Sequence, residues 1–247
     1  MLKELRKQFD HYSIHARFMP AFFICLPLVL TTLAWCPEAT TVLGSTITIL
    51  ISFGVMSFLS TIVSNMGNSL QSKLFNSWGG APTTTILMPN NNELDKYTKE
   101  RYFMWLNSRI SKLNLAMSDD DSDLQDKIKS AANFLREFTR DTKKYPAVYR
   151  DNVAYGFARN LVALRYAGLL ISIMALFINL SVIFFPEYYG IYNGQAVGNG
   201  SYPFGIISSL LSVLCVALYL FVLNERFIKQ RAFRYARTLY EVCESKN

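Results

Sequence analysis

The segment WGGAPTT at 78–84 has the composition of a loop that could hold a ligand. Its two glycines permit positive φ and close approach to the backbone, its proline fixes a turn, and its threonines offer hydroxyl groups. Because the segment lacks the lysine of a phosphate-binding P-loop, an ordinary turn beneath a tryptophan anchor is the alternative. The predicted ligand contacts in this loop are Trp78, Gly79, Gly80, Thr83 and Thr84.

A predicted helix follows this loop, starting with Asn92 as its N-cap and running to about Leu115. Basic and aromatic residues alternate along it. Such a mixture could stack against and neutralise a nucleotide or a single-stranded oligonucleotide, and a solvated helix face is the alternative. The predicted ligand contacts from this region are Arg101, Tyr102 and Arg109, with Arg140 beyond the next helix.

Hydroxyl residues recur at steps of 4, 3 and 4 along an apolar segment, on one face before Gly54 and on roughly the opposite face after it. Small and hydroxyl residues allow helices to pack closely in lipid, but in an oligomer they could also wet the wall of a pore. The first face comprises Thr41, Ser45, Thr48 and Ser52, and the second comprises Ser57, Thr61, Ser64 and Asn68.

The predicted pore-lining residues are those of the first face, Thr41, Ser45, Thr48 and Ser52, together with Asn179 in a later apolar segment. An amide within an apolar helix has two interpretations. It can line an aqueous pathway, or it can form a hydrogen bond with a neighbouring helix. Both are open for Asn179 at this point.

Known catalytic motifs are missing from the sequence. It contains neither HExxH nor GxSxG, and its two histidines, His11 and His15, both lie near the start. The four cysteines show no CxxC or metal-type spacing. We therefore predict no enzymatic activity, no metal and no cofactor.

The elements that position these residues follow from the distribution of charge. Hydrophobic residues make up 51% of the 247-residue chain, and charged residues only 17%. Glu38 is the only charged residue from 18 to 72, and Glu187 the only one from 166 to 224. Each tract divides at its acid into two segments of about 20 residues, the length that crosses roughly 30 Å of hydrocarbon. The predicted spans are 18–36, 40–65, 167–186 and 203–224.

The basic residues predict the orientation. All 25 lysines and arginines lie within 1–17, 64–166 or 225–247. Because cytoplasmic segments carry the lysine and arginine excess, both termini and the central segment should be cytoplasmic. The fold class is therefore all-α, with two membrane hairpins and a helical cytoplasmic insert. The predicted segments are an amphipathic helix (1–17), the first hairpin (18–65), the insert (66–166), the second hairpin (167–224) and a basic tail helix (225–247).

Within the insert, the acidic run Ser118–Asp123 predicts a helix N-terminus. The apolar residues that follow it recur at steps of 4, 3, 4 and 3, which is typical of a helix with one buried face. They are Leu124, Ile128, Ala131, Leu135 and Phe138.

Four strings, WGGAPTT at 78–84, RY at 101–102, TRD at 139–141 and NVAYGFARNL at 152–161, resemble a family of largely uncharacterised bacterial four-span proteins of the inner membrane. The resemblance implies the same plan of hairpin, cytoplasmic helical insert and hairpin. Arg159 and Asn160 in the last string are included among the predicted ligand contacts. For Arg159, snorkelling to lipid headgroups is the alternative.

The plan is also similar to membrane effectors of bacterial anti-phage systems, which pair with a nucleotidyltransferase or another cytosolic sensor and permeabilise the membrane. The hydroxyl stripe, the basic and aromatic insert and the lack of catalytic motifs predict a channel or pore-forming effector that is gated by a nucleotide or single-stranded oligonucleotide. Because four spans alone rarely enclose a pathway, it is expected to be a homo-oligomer, here taken as a tetramer. The alternative is a membrane scaffold or sensor that docks a cytosolic protein.

Overall fold

The computed structural model of the protein describes residues 11–35, 46–189 and 202–244, with the side chains of 46–57, 188 and 189 excepted. Helices and turns account for these ranges, and no strand occurs within them. The predicted all-α class is therefore confirmed for this part of the chain.

Within the described ranges the helices are, in chain order, α1 (His11–Trp35), α2 (Thr46–Ser77), α3 (Pro82–Thr85), α4 (Lys96–Arg109), α5 (Asp121–Phe138), α6 (Pro146–Ala163), α7 (Arg165–Phe184), α8 (Tyr202–Val222) and α9 (Glu225–Glu241). Short π-helical segments occur in α1 (Ile14–Phe18) and at the end of α8 (Leu218–Val222), and 3-10 turns follow α7 (Pro186–Tyr189) and α9 (Val242–Glu244).

The chain divides into two compact units. The apolar unit comprises Met1–Ser69 and Gly156–Glu225, and the polar unit comprises Leu70–Tyr155 and Arg226–Asn247. The basic tail, predicted as a separate segment, thus clusters with the central part of the chain.

Three helices of the apolar unit, α1, α7 and α8, are long and apolar enough to cross a membrane. They correspond to three of the four predicted spans. The other predicted span, 40–65, includes residues 40–45, which lie outside the described residues, and it continues into α2. Its passage through a membrane stays a prediction.

The polar unit is built around the apolar face of α5. Four of the five residues predicted to form this face, Leu124, Ile128, Ala131 and Leu135, are fully buried. The fifth, Phe138, is half-buried and packs against the same core. Burying one leucine or isoleucine side chain contributes about 1.5–3 kcal/mol. Residues from α4 and α9 complete the same core, among them Phe103, Leu106, Leu239 and Tyr240.

The start of α4 differs from the prediction. Asp95, and not Asn92, is the N-cap: its carboxylate accepts hydrogen bonds from the Thr98 backbone N–H at 2.9 Å and the Thr98 hydroxyl at 2.6 Å. Upstream, the Asn91 side chain accepts from the Glu93 N–H at 2.8 Å, which forms a turn instead of a cap. The predicted N-cap was therefore wrong by three residues.

The helix that leads toward the third predicted span, α6, begins at Pro146, because the fixed φ of proline suits the first helical turn. Leu164, with φ −93° and ψ 4°, separates α6 from α7.

Candidate functional site

A buried polar cluster joins α1, α7 and α8 in the apolar unit. The Asn179 Nδ2 group donates to Thr31 Oγ1 at 2.8 Å and to Ser208 Oγ at 3.1 Å, and it lies 2.9 Å from the Ala175 carbonyl oxygen. Trp35 Nε1 donates to Asn179 Oδ1 at 2.7 Å. The amide of Asn179 is thus bonded to both neighbouring helices as well as to its own.

This cluster bears on the pore-lining prediction for Asn179. The residue is fully buried, and Thr31 and Ser208 beside it are only 3% and 1% exposed. The interhelical hydrogen bond, which was the alternative for this residue, is present. Because polar groups in hydrocarbon need internal partners, the cluster ties the three helices together.

The exposed side of α2 carries a polar stripe in the apolar unit. Thr61, Asn65 and Asn68 are exposed and follow one another at steps of 4 and 3, so they share one side of the helix. Val63 and Gly67 on the opposite side are buried. The Asn65 amide has no hydrogen-bond partner among the described residues. An uncharged polar surface therefore runs along this part of α2.

An apolar stripe borders the polar one. Phe58, Ile62 and Met66 recur at steps of 4 and are 68%, 37% and 40% exposed. The free side of α2 is therefore divided lengthwise between apolar and uncharged polar side chains. A helix with this division can face lipid along one stripe and water or another copy along the other.

The structure does not describe the side chains of the four pore-lining residues that were predicted on the first face of this segment. Thr41 and Ser45 lie outside the described residues. Thr48 and Ser52 belong to α2, but their side chains are also outside the description. Of the second predicted face, Thr61 and Asn68 are exposed.

Arg159 and Asn160, two predicted ligand contacts, lie inside the apolar unit. Asn160 is fully buried and its Nδ2 group donates to the Ala16 carbonyl oxygen at 2.6 Å, while its Oδ1 accepts from Arg159 Nε at 3.2 Å. A Cβ atom on Gly67 would lie 1.9 Å from Asn160 Oδ1. These residues therefore fix the close packing of α1, α2 and α6.

The predicted ligand loop has the backbone that its composition indicates. Gly79 and Gly80 adopt positive φ values of 75° and 136°, which favour glycine. The Trp78 ring packs at a tilt of 47° against Phe75, with ring centroids 6.1 Å apart, and the Lys229 ammonium lies 5.9 Å from the Trp78 ring centroid. The chain thus turns beside a tryptophan anchor, as the alternative interpretation expects.

Thr83 ties the end of this loop to the core of the polar unit. Its hydroxyl accepts a hydrogen bond from Arg136 Nη2 at 3.0 Å, and its carbonyl oxygen accepts one from the Tyr240 hydroxyl at 2.6 Å. Thr83 is 5% exposed and Tyr240 is fully buried. Thr84 beside it is half-buried. Gly79 is exposed and Gly80 is half-buried, so a ligand would reach these glycines more readily than the buried Thr83.

Tyr102, another predicted contact, is linked to Thr83 through Tyr240. The Tyr102 and Tyr240 rings stack with centroids 6.2 Å apart. Tyr102 is 2% exposed, and its burial raises its pKa to about 12. Both tyrosines therefore belong to the packed core.

The predicted arginine contacts of the polar unit are spread over its surface. Arg101 donates to Glu244 Oε1 from Nε at 3.0 Å and from Nη2 at 2.7 Å. Arg109 lies over Trp105, and Arg140 pairs with Glu137 at 3.2 Å in an exposed position. The described structure does not gather these arginines around one cavity.

A buried lysine occupies an unexpected position in the polar unit. Lys99, 2% exposed, donates from Nζ to the carbonyl oxygens of Met88, at 2.8 Å, and Asn91. Burial lowers its pKa, and Asp95 partly opposes this effect. A cleft of about 360 Å³ lies beside it. The ammonium clamps the turn before α4, a role that the helical pattern did not indicate.

A second cleft, of about 310 Å³, is lined by Asp151, Ala154, Gln230, Arg231 and Arg234. None of these residues belongs to a site that was predicted from the sequence. The available signal was the basic run in the tail, which also fits a helix emerging from a membrane. Only the packing of α6 and α9 shows that a buried carboxylate lies among these cations.

Comparison of the chain with protein-family models, with curated proteins and with solved structures gives no match.

Proposed function

We propose that this protein is a homo-oligomeric channel or pore-forming effector of the bacterial inner membrane, with α2 lining its pathway. The observation that carries the proposal is the exposed uncharged stripe of Thr61, Asn65 and Asn68 on α2. Three neighbouring helices long and apolar enough to cross a membrane support the location.

The physical argument starts from the cost of exposing polar groups to lipid. An isolated copy whose second span is 40–65 would present Asn65 to hydrocarbon or to its boundary, where an unsatisfied polar group costs several kcal/mol. Association of several copies around α2 would place the stripe on a shared aqueous path. The bordering residues Phe58, Ile62 and Met66 would then face lipid or the next copy.

The polar unit supplies the proposed gate. With four spans and cytoplasmic termini, it would lie in the cytoplasm, where a nucleotide or oligonucleotide could reach it. The likeness to anti-phage effectors supports a role in defence and a cytosolic sensor or nucleotidyltransferase as the source of the ligand. A tetramer is the proposed assembly.

Charge introduced on the stripe tests the lining role. Asn65→Asp should increase the selectivity of the current for cations, since a ring of carboxylates lines cation-selective pores, and Asn65→Lys should favour anions. The reversal potential in asymmetric salt measures both changes. Asn133→Asp makes the same charge change on an exposed part of α5 and should leave the reversal potential unaltered. Equal shifts from Asn65→Asp and Asn133→Asp would remove the support for α2 as the pathway.

A membrane scaffold or sensor is the second candidate function. Tyr97 and Met104 on α4 are 72% and 65% exposed and lie seven residues apart, on the same side of the helix. Exposed aromatic and methionine side chains are typical of surfaces that bind proteins. The double variant Tyr97→Ser with Met104→Ser tests this function by co-purification. The scaffold is favoured if a cytosolic protein that co-purifies with the unmodified chain is lost from this variant, while currents are unchanged or are not observed in either protein.

A further inference from the structure

The cleft between α6 and α9 combines a buried carboxylate with arginines that have spare donors. Asp151 is 4% exposed, and its Oδ2 accepts a hydrogen bond from the Thr238 hydroxyl at 2.8 Å. Arg234 Nε lies 3.4 Å from the same oxygen, and Arg150 Nε lies 3.5 Å from Oδ1. Both distances exceed those of strong charge-assisted hydrogen bonds, so the arginines are loosely held.

Arg231 is held more firmly on the same side of the cleft. Its guanidinium carbon lies 3.7 Å from the centroid of the Phe227 ring, and its Nη1 donates to the Phe227 carbonyl oxygen at 3.2 Å. These contacts fix the plane of the guanidinium. Within the described part of the chain, its other nitrogens and the terminal nitrogens of Arg234 make no hydrogen bond.

The balance of charge in the cleft favours an anion. Arg231 and Arg234 line the cleft with a single carboxylate, that of Asp151, and Arg150 lies beside the same carboxylate outside the lining. The pKa of Arg231 is lowered, first by its partial burial and then by repulsion from Arg234. An anion between the two guanidinium groups would relieve this repulsion.

We propose that this cleft binds a phosphate group, held between the guanidinium groups of Arg231 and Arg234, with the Gln230 amide as an additional donor. Guanidinium forks match the geometry of phosphate oxygens and bind them through paired hydrogen bonds. Thr238 holds the Asp151 carboxylate, and this carboxylate pairs loosely with Arg234 at the cleft. That such binding gates a channel rests on the proposed function, whereas binding itself does not.

Two sources could supply the phosphate, a free nucleotide-type ligand or the headgroup of a phospholipid. Two probes separate them, both applied to the full chain. Inorganic pyrophosphate, titrated calorimetrically into protein in neutral detergent, represents the free ligand. Phosphatidic acid at low mole fraction in phosphatidylcholine nanodiscs, with lipid retention measured by native mass spectrometry, represents the headgroup.

The central comparison uses two double variants of equal charge. Arg231→Gln with Arg234→Gln should weaken binding of the effective probe by about tenfold or more, the effect of losing one to two charge-assisted hydrogen bonds. Arg226→Gln with Lys229→Gln removes the same charge from exposed positions of α9 that do not line the cleft, and it should bind like the unmodified protein. Binding of pyrophosphate assigns a free ligand, and binding of phosphatidic acid alone assigns a lipid.

Asp151→Asn gives a prediction of opposite sign. It retains an acceptor for Thr238 but removes the competing negative charge, so it should tighten phosphate binding by about three- to tenfold. If the arginine double variant fails to fold, Asp151→Asn combined with Arg234→Gln replaces it, because this pair of changes leaves the net charge of the protein unaltered. This combination should bind phosphate more weakly than Asp151→Asn alone. The proposal is overturned if neither probe binds, if both double variants weaken binding equally, or if Asp151→Asn weakens it.

Discussion

Trp35 donates its indole N–H to the side-chain oxygen of Asn179 at 2.7 Å, which links α1 to α7. On the opposite side of the amide, Asn179 donates to Thr31 and Ser208, so one residue connects α1, α7 and α8, the three helices within the described residues that are long and apolar enough to cross a membrane. Polar links of this kind determine how apolar helices pair, because lipid offers no hydrophobic force to hold them together.

We expect Asn179→Leu to lower the free energy of unfolding in detergent by about 1–2 kcal/mol, the upper part of the range for interhelical hydrogen bonds in membranes. Unfolding by added SDS, followed by tryptophan fluorescence, measures the change. Ser209→Ala is the control, because Ser209 donates only to Gly205 of its own helix. Equal stability of the two variants would show that the cluster does not hold the helices together.

Gly67→Ala should destabilise the apolar unit. The added methyl group would lie 1.9 Å from Asn160 Oδ1, and Asn160 cannot move away without losing its bond to the Ala16 carbonyl oxygen. Overpacking of this kind costs about 1–3 kcal/mol. Thermal unfolding should show a lower midpoint for Gly67→Ala than for Ser69→Ala, an exposed position on the same helix. If Asn160→Ala restores part of the loss, the clash is located at this contact.

Tyr240→Phe should destabilise the polar unit by about 1–3 kcal/mol, since it removes the donor to the Thr83 carbonyl oxygen at a fully buried position. Chemical denaturation measures the loss. Tyr97→Phe removes a hydroxyl from a side chain that is 72% exposed, and it should be neutral. A neutral Tyr240→Phe would mean that this hydrogen bond does not anchor the loop at 78–84.

The Asp119–Lys127 pair predicts a dependence of stability on acid pH. Lys127 Nζ donates to Asp119 at 3.0 Å, and this bond, with one from the Ala116 N–H, lowers the pKa of Asp119 below its usual 3.8. The folded state therefore binds fewer protons than the unfolded state near that pH. The stabilisation from this pair is present above the pKa that Asp119 has in the unfolded chain. It is lost as the pH falls through the lower pKa that Asp119 has in the folded protein.

Asp119→Asn should accordingly lose less stability than the unmodified protein between about pH 6 and about pH 3. Denaturation curves at the two pH values measure the difference. Asp120→Asn serves as the control, because Asp120 is the exposed N-cap residue of α5 and makes no side-chain capping bond. An identical pH dependence in Asp119→Asn and the unmodified protein would contradict the assignment.

The sequence predicted the helical class, three apolar helices and the buried face of α5, because each depends on local composition or spacing. The gap in charge around Glu187 marks α7 and α8, since helices that can cross a membrane need uncharged segments of about this length. Leu124 and Ile128 mark a buried face because their spacing follows the helical repeat. Helix ends were harder to locate. Asn92 and Asp95 both suit an N-cap, and the choice between them depends on tertiary packing such as the burial of Lys99.

The candidate sites could be predicted only in part, for a physical reason. The partner that holds Thr83 is Tyr240, 157 residues further along the chain, and no local pattern connects them. The same is true of Asp151 and Arg234. A short polar or basic motif shows which groups are available for binding, whereas packing determines whether they face a ligand, a neighbouring helix or the core.

Current across a planar bilayer that contains the purified full chain tests the proposed conduction. Cyclic nucleotides and short oligonucleotides are added on the side of the termini, whose orientation is established by protease protection. We expect discrete currents that one of these ligands opens or closes. Persistent silence from protein that is demonstrably folded and inserted would contradict the channel and favour the scaffold.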